Sequence, residues 1–346
     1  MMFWLLYGLK SMVKIDSPDA SETVSRQAEL ARAEGQRIQA RIDKKSKEQK
    51  SEGGRKRPMQ AGTREYPSEF PAQHLRKHDS EAGLAFKPMF EAPGYEGSNK
   101  LKNMVALITG GNSGIGRAVA TLFAREGADI AIAYLSSGED AETTKAAIEH
   151  EGRTCLMLRG DVADSAFCAK AVKRVVDEFG KLDVLVSNAA FQQHVNDILD
   201  LSDEHFDRTV KTNLYGTFYM TRAAIPHIQP GGSIIMTGSV VAMRGSSELL
   251  DYSMTKGGIH TYARSLAAHL VDRGIRVNVV APGPVWTSLN PEDRPAEDVK
   301  NFGSSTRMGR AAQPEEIAPA FVFLAAPSCA SYITGEILPV VGGYDG

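Results

Sequence analysis

Tyr252 and Lys256 stand four residues apart in "DYSMTK". On a helix, side chains at i and i+4 share a face, one turn apart. A phenol and an ammonium placed this way can enter the same space. A nearby positive charge favours the phenolate, so it pulls a tyrosine below its ordinary pKa of ~10. A tyrosine tuned toward neutrality can give or take a proton in catalysis. Taken alone, the pair also describes a surface helix with one aromatic and one solvated lysine. Its meaning depends on what surrounds it.

A second stretch with chemical potential is "MVALITGGNSGIGRAVATLFA", residues 104–124. It reads as an apolar strand, a glycine-rich turn and an amphipathic helix. Gly110, Gly114 and Gly116 are spaced G-x-x-x-G-x-G, not G-x-G-x-x-G. Glycines permit a tight turn, let backbone approach a pyrophosphate, and open a helix whose N-terminus favours anions. The same spacing also fits a plain strand-to-helix turn.

Both stretches need a scaffold, and residues 101–346 supply one. "MVALIT", "DIAIAYL", "TCLMLRG", "LDVLVSN", "GSIIMTGS", "IRVNVVAP" and "EILPVVGG" are short apolar runs rich in β-branched residues. They predict buried strands. Stretches of helical period lie between most of them, such as "GRAVATLFAREG", "DSAFCAKAVKRVVDEFG" and "GIHTYARSLAAHLVDRG". Alternating strand and helix implies right-handed crossovers and a sheet covered on both faces. The expected fold class is α/β: one doubly wound Rossmann-type domain with a mostly parallel seven-stranded sheet. No internal repeat is visible.

The first hundred residues differ in character. Residues 1–58 predict a polar, flexible extension. Val24, Leu30, Ile38 and Ile42 form only a thin apolar stripe. "KKSKEQKSEGGRKRP" is basic, but it lacks the interleaved aromatics that stack on bases, so no nucleic-acid partner is expected. The apolar start, Met1 to Leu9, falls short of the ~20 residues that span a bilayer, and no stable membrane insertion is expected. A membrane-surface anchor and a mis-assigned start, with Met12 as the true beginning, both fit; the second is preferred. Residues 59–100 carry prolines and aromatics without a period. They read as an extended arm, lying on the folded body or on a neighbouring subunit.

Bulk composition narrows the class. The chain has 346 residues, 42% of them hydrophobic and 24% charged, which is ordinary globular composition. A formal net charge of −2 gives no general affinity for polyanions. Cys155, Cys168 and Cys329 are far apart and odd in number. They form no disulfide or metal pattern, which suits a reducing, cytoplasmic setting.

"TGGNSGIG", then "GDV" at 160–162, "SNAA" at 187–190, Asn213, Ser239, "YSMTK" and "PGPVWT" occur in that order. The series resembles the short-chain dehydrogenase/reductase family and covers nearly all of residues 101–346. Ser239 precedes Tyr252 by thirteen residues, and Tyr252 precedes Lys256 by four. The arm and the stretches "DYSMTKGGI", "APGPVWTSL" and "GRAAQPEEIAPAFVFLAA" are similar to a bacterial general-stress and glucose-dehydrogenase-like subgroup. That subgroup implies reduction of aldehydes or oxidation of sugars and polyols.

The resemblance implies a catalytic set of Asn213, Ser239, Tyr252 and Lys256. Tyr252 would be general acid in reduction and general base in oxidation. Ser239 would bond and orient the reacting oxygen. Lys256 would hold the nicotinamide ribose and depress the pKa of Tyr252. Asn213 would anchor a water in the proton relay. These roles suit a hydride-transfer site, where the nicotinamide carries the redox change.

Cofactor-binding candidates are Gly110, Asn112, Ser113, Gly114, Ile115 and Gly116 in the turn, and Ser136 and Ser137 after the second strand. Asp161 and Val162 follow the third strand, Asn188 and Ala189 the fourth, and Pro282, Gly283, Val285 and Thr287 the sixth. Tyr252 and Lys256 complete the set. Asn188 also suits a strand-end brace and Asp161 a helix cap. Ala190 stands where the family commonly has glycine. The end of "DIAIAYLSSGED" offers Tyr134, Leu135, Ser136 and Ser137 where NAD enzymes usually place an acid on the ribose 2′-hydroxyl, and Glu139 and Asp140 come late, at the start of the next helix. NADP(H) is therefore favoured, with NAD(H) possible; Ser136 and Ser137 would take the 2′-phosphate, with Arg117 near.

The substrate candidates are Phe191, Gln192, His194, Val241, Met243 and Leu249. His194 also fits a solvent-facing loop. "WTSLNPEDRPAEDVKNFG" suits a mobile lid. A small-molecule carbonyl or alcohol is the expected partner, and the resemblance implies a homotetramer. A non-catalytic dinucleotide-binding scaffold or stress-associated protein is the alternative. The presence of all four catalytic residues argues against it.

Overall fold

Each of the seven apolar runs is a strand. They are β1 (Val105–Thr109), β2 (Asp129–Tyr134), β3 (Cys155–Arg159), β4 (Leu182–Ser187), β5 (Ile228–Thr237), β6 (Arg276–Pro282) and β7 (Ile337–Val340). They form one sheet in the order β3-β2-β1-β4-β5-β6-β7. All six pairings are parallel. This is the doubly wound arrangement, and its topological switch lies between β1 and β4. The computed structural model describes residues 58–76 and 80–343, together with Gln36, Arg37 and Arg41.

Helices cover both faces, which is why every residue of β1 is buried and its sequence does not alternate. On one face, α1 (Gly114–Arg125) packs with the late helix of residues 314–325. Val119, Leu122 and Phe123 meet Ile317 and Phe321 above Ile108 and Ile130. Next in the chain come α2 (Gly138–His150), α3 (Ser165–Phe179), α4 (Asp203–Val210), α5 (Gly216–Ala224), α6 (Leu250–Leu270), α7 (Leu289–Asp293) and α8 (Pro314–Ala325), the late helix just named. On the other face, Val172 and Val175 of α3, Met220 of α5 and Ile259 of α6 cover Leu107, Leu185 and Met236. Local signals set the ends of α3. The Asp164 carboxylate accepts the Ala166 N–H at 2.8 Å, and Gly180 closes the helix in the left-handed region at φ 77°.

The chain divides into two units, residues 1–56 and 57–346. In the first, Gln36, Arg37 and Arg41 are helical and exposed. The expectations for the apolar start, the thin stripe and the basic run lie outside the described residues. Among the described residues, no helix is long and apolar enough to cross a membrane.

The arm lies on its own body. Phe70, Leu75 and Leu84 form a small core with Trp286, Val299 and Ala311. Phe70 stacks on Trp286 with ring centroids 3.9 Å apart and planes 7° from parallel. The Trp286 indole N–H donates to the Phe86 carbonyl at 2.9 Å. Backbone bonds run from Phe70 N to Lys300 O and from Leu75 N to Pro291 O. The segment expected to be a mobile lid is therefore strapped down by residues more than 200 positions earlier.

Candidate active site

The carboxyl ends of the strands open into one cleft, as the doubly wound topology requires. Behind β1, the turn brings Gly110, Asn112, Ser113, Gly114 and Ile115 to its wall. Gly114 sits at φ +49°, and a Cβ there would fall 2.8 Å from Thr287 Cγ2. A Cβ on Gly116 would fall 2.0 Å from the Gly110 carbonyl oxygen, so α1 can approach the turn only without a side chain. Ser113 provides no side-chain cap to α1. Ser136 and Ser137 line the cleft after β2, Asp161 and Val162 after β3, and Asn188, Ala189 and Phe191 after β4.

Tyr252 and Lys256 enter the same cleft from α6. The helix buries them together with His260, one further turn along; exposures are 9%, 1% and 5%. Lys256 Nζ lies 5.4 Å from the centre of the Tyr252 ring and donates to the Thr237 carbonyl at 2.7 Å. Burial alone pulls this lysine down to about 7. Burial also pushes the Tyr252 phenol above its ordinary value, and the hydrogen bond with Ser239 draws it partly back. Lys256 is therefore not what sets the phenol here. The expected depression of Tyr252 is replaced by a rise, because burial of the phenol outweighs the bond from Ser239.

Ser239 is buried two residues past the end of β5, with its backbone N–H directed at His260 Nε2, 3.4 Å away. Burial, and then the nearby Lys256, pull His260 down to about 4, so it stays a neutral acceptor. Asn213 sits inside a single π-helical turn, Lys211–Tyr215, between α4 and α5. Such turns widen a helix and often mark functional positions. Its amide brackets Phe191, accepting from the N–H at 2.8 Å and donating to the carbonyl at 2.9 Å. It also donates to Thr255 Oγ1 at 3.0 Å, so both amide hydrogens are bonded inside the protein.

Several of the expected contact residues also make bonds within the protein, and others lie off the cleft wall. Asn188 braces strand ends: it donates to the carbonyls of Thr109 and Gly110 and accepts from Thr237. Asp161 accepts the Ala163 N–H and pairs with Arg208 at 2.8 Å, so it caps its turn while lining the cleft. The Ser137 hydroxyl is bonded to the Asp140 carboxylate. Arg117 is buried and committed to Glu81, Asp140 and the Asn112 carbonyl, so it does not reach for a 2′-phosphate. From "PGPVWT", only Thr287 reaches the cleft wall. Pro282 pairs with β7, the Gly283 N–H is bonded to Val340, and Val285 is buried in a bridge to Ala312.

Of the substrate candidates, Phe191 lines the cleft. Leu249 is buried beside the start of α6, Val241 begins a short helical turn, and Met243 is 45% exposed. None of these three is among the residues that line the cleft. His194 is not solvent-facing. Its ring Nδ1 bonds Asp293 of α7, and its backbone N–H donates to the same carboxylate at 2.5 Å. Gln192 donates to Asp293 at 2.7 Å, and Arg294 lies 2.8 Å from His194 Nε2. Burial would raise Asp293, but the bonds from His194 and Gln192 outweigh it and hold the carboxyl low.

Sequence reasoning missed Asp293, His260 and Glu81. His260 was reachable by extending the Tyr252–Lys256 spacing one more turn. Asp293 and Glu81 meet their partners about 100 and 36 residues away, and nothing local signals them.

Comparison with known proteins accords with this geometry. A family model described as enoyl-(acyl carrier protein) reductase matches residues 110–345. General stress protein 39 of Bacillus subtilis is 48% identical over 279 residues, covering 80% of this chain and 97% of that protein. NADPH-dependent aldehyde reductase 1 of Arabidopsis thaliana chloroplasts is 43% identical, covering 80% and 98%. A short-chain dehydrogenase from Burkholderia cenocepacia, solved in complex with NADP, superposes with a TM-score of 0.66 at 34% identity, covering 70% of this chain and 98% of that one. With its parallel sheet, glycine turn and buried tyrosine–lysine helix, the chain is an oxidoreductase that belongs to the short-chain dehydrogenase/reductase family.

Proposed function

We propose that the protein transfers a hydride between NADP(H) and a small carbonyl or alcohol, an aldehyde, sugar or polyol, with Tyr252 as the proton-transferring group. The observation that carries this reading is the meeting of Tyr252, Ser239 and Lys256 in one buried corner of the cleft. The cleft suits a dinucleotide: glycine is required at 114 and 116, and α1 opens without a side-chain cap. NADP(H) is favoured because no carboxylate ends β2, and because similar proteins are named for NADPH or hold NADP.

The bound dinucleotide would supply or accept the hydride at the substrate carbon. A phenol held above its ordinary value is protonated at neutral pH, so Tyr252 is ready to donate as the carbonyl oxygen becomes an alkoxide. Ser239 would bond the same oxygen. Lys256, bonded to the Thr237 carbonyl one helical turn behind the phenol, would hold the nicotinamide ribose. Asn213 would act by fixing Phe191 at the cleft wall. This reading keeps residues 101–346 as the catalytic body, 59–100 as an arm and 1–58 as an extension, in a cytoplasmic homotetramer.

The test is NADPH oxidation with a panel of small aldehydes, with Tyr252→Phe in parallel. Turnover should fall by about 10²–10⁴-fold in the variant, while NADPH binding stays within about twofold. Equal turnover by both proteins would refute the assigned role. Cofactor binding without turnover of any carbonyl or polyol would favour a dinucleotide-binding scaffold.

A further inference from the structure

A carboxylate from the arm is bonded to the glycine turn. Glu81 opens a short 3-10 turn, Glu81–Gly83, and is 2% exposed. One of its oxygens accepts the N–H of Gly114, the first residue of α1, at 3.1 Å. The other lies 2.5 Å from Arg117 Nη1. Its own backbone N–H donates to Asp140 at 3.0 Å, and Ser80 Oγ donates to the same carboxylate at 3.1 Å. Asp140 also takes the Ser137 hydroxyl. Arg117 in turn holds the Asn112 carbonyl through Nε at 3.1 Å and Nη2 at 2.7 Å. A single arm residue thereby closes a network through the glycine turn and the corner after β2.

A buried carboxylate needs a reason. Leaving water penalises its charge, and Arg117 and the Gly114 amide offset that within bonding distance. Glu81 also occupies a helix N-terminus of the kind that binds phosphates, so it competes for the field that attracts the cofactor. The arrangement serves shape: with Glu81 in place, Arg117 cannot swing, the Asn112 carbonyl is fixed, and Gly114 keeps its left-handed conformation against Thr287. Trp286, the neighbour of Thr287, is held by the same arm through Phe70.

We propose that Glu81 is a positioning residue for the dinucleotide: through Gly114 and Arg117 it fixes the turn that receives the pyrophosphate, so the arm governs how tightly the cofactor binds. This rests on the hydride-transfer reading above. Glu81 acts at a distance from the reacting carbon, so its loss should appear in cofactor affinity and leave the chemical step intact.

The full-length protein, Glu81→Ala and Glu81→Gln would be titrated with NADPH by fluorescence. Melting temperature and kcat at saturating NADPH would be measured on the same samples. Glu81→Ala should weaken NADPH binding about tenfold or more, with kcat at saturation within about twofold. Glu81→Gln keeps an acceptor for the Gly114 N–H and should bind NADPH more weakly than the parent but more tightly than Glu81→Ala; if the alanine variant does not fold, the weakening in Glu81→Gln against the parent is the test. Unchanged or tighter NADPH binding in Glu81→Gln, whether or not its melting temperature drops, would overturn the proposal and leave Glu81 a structural brace. So would a loss confined to kcat. If the parent protein itself bound no NADPH, the hydride-transfer reading would fail first and take this one with it. Parent binding with unaltered variants sinks the Glu81 proposal alone.

Discussion

Lys256 shows how one residue's environment sets its chemistry. It has 1% exposure, and its ammonium has a carbonyl for a partner rather than a carboxylate. Burial brings it from 10.5 to about 7. Between those two values the unfolded chain binds a proton that the folded chain does not. Stability therefore rises with pH across that window. Lys256→Met has no such proton to release. The rise in melting temperature of the cofactor-free parent between about pH 7 and 10 should be larger than that of Lys256→Met. Parallel curves for the two proteins would show that the lysine is not buried neutral.

At the level of elements, the lid is held from two sides. The arm strap stacks Phe70 on Trp286, and such stacks add about 0.5–1.5 kcal/mol beyond the area they bury. On the cleft side, Asp293 of α7 gathers Gln192 and His194 from the loop after β4. Hydrogen bonds to a charged group contribute about 1.5–3 kcal/mol each, so this latch is the stronger tie. It also sits near enough to raise the Tyr252 phenol. Asp293→Asn should loosen α7 and raise KM for the carbonyl substrate about tenfold, as ~1.4 kcal/mol would, with NADPH affinity unchanged. A KM equal to that of the parent would mean that the latch has no part in substrate binding.

For the whole molecule, the informative feature is apolar surface left uncovered. Phe206, Tyr215, Phe218 and Met254 are 40–48% exposed on or beside α4, α5 and α6. Arg222 lies over the Phe218 ring at 4.8 Å. Aromatic and arginine side chains of this kind concentrate at the centres of protein interfaces. They fit the proposed homotetramer. Light scattering should give the mass of four chains for the parent and of a smaller species for Phe218→Glu, since an unpaired charge buried in an interface costs several kcal/mol. A parent protein that runs as a monomer would remove this reading.

The sequence by itself determined the sheet and the pairing of Tyr252 with Lys256. Seven β-branched runs became seven strands within a residue or two, except that β5 begins at Ile228, ahead of the "GSIIMTGS" run, and β7 ends at Val340, three residues before the "EILPVVGG" run does. Tyr252 and Lys256 were legible because a helix fixes i and i+4 neighbours whatever else the chain does. Glycine at 114 and 116 was legible because a tight turn onto a helix leaves no room for a side chain. Tertiary structure alone decided the rest. The phenol's rise depends on how dry its surroundings are, and burial is a property of the packed body. Asp293 and Glu81 meet partners brought to them by distant strands and by the arm, so no local pattern announces them. The arm's own place was also undecided: its prolines and aromatics have no period, and only the packing of Phe70 on Trp286 says which surface they cover.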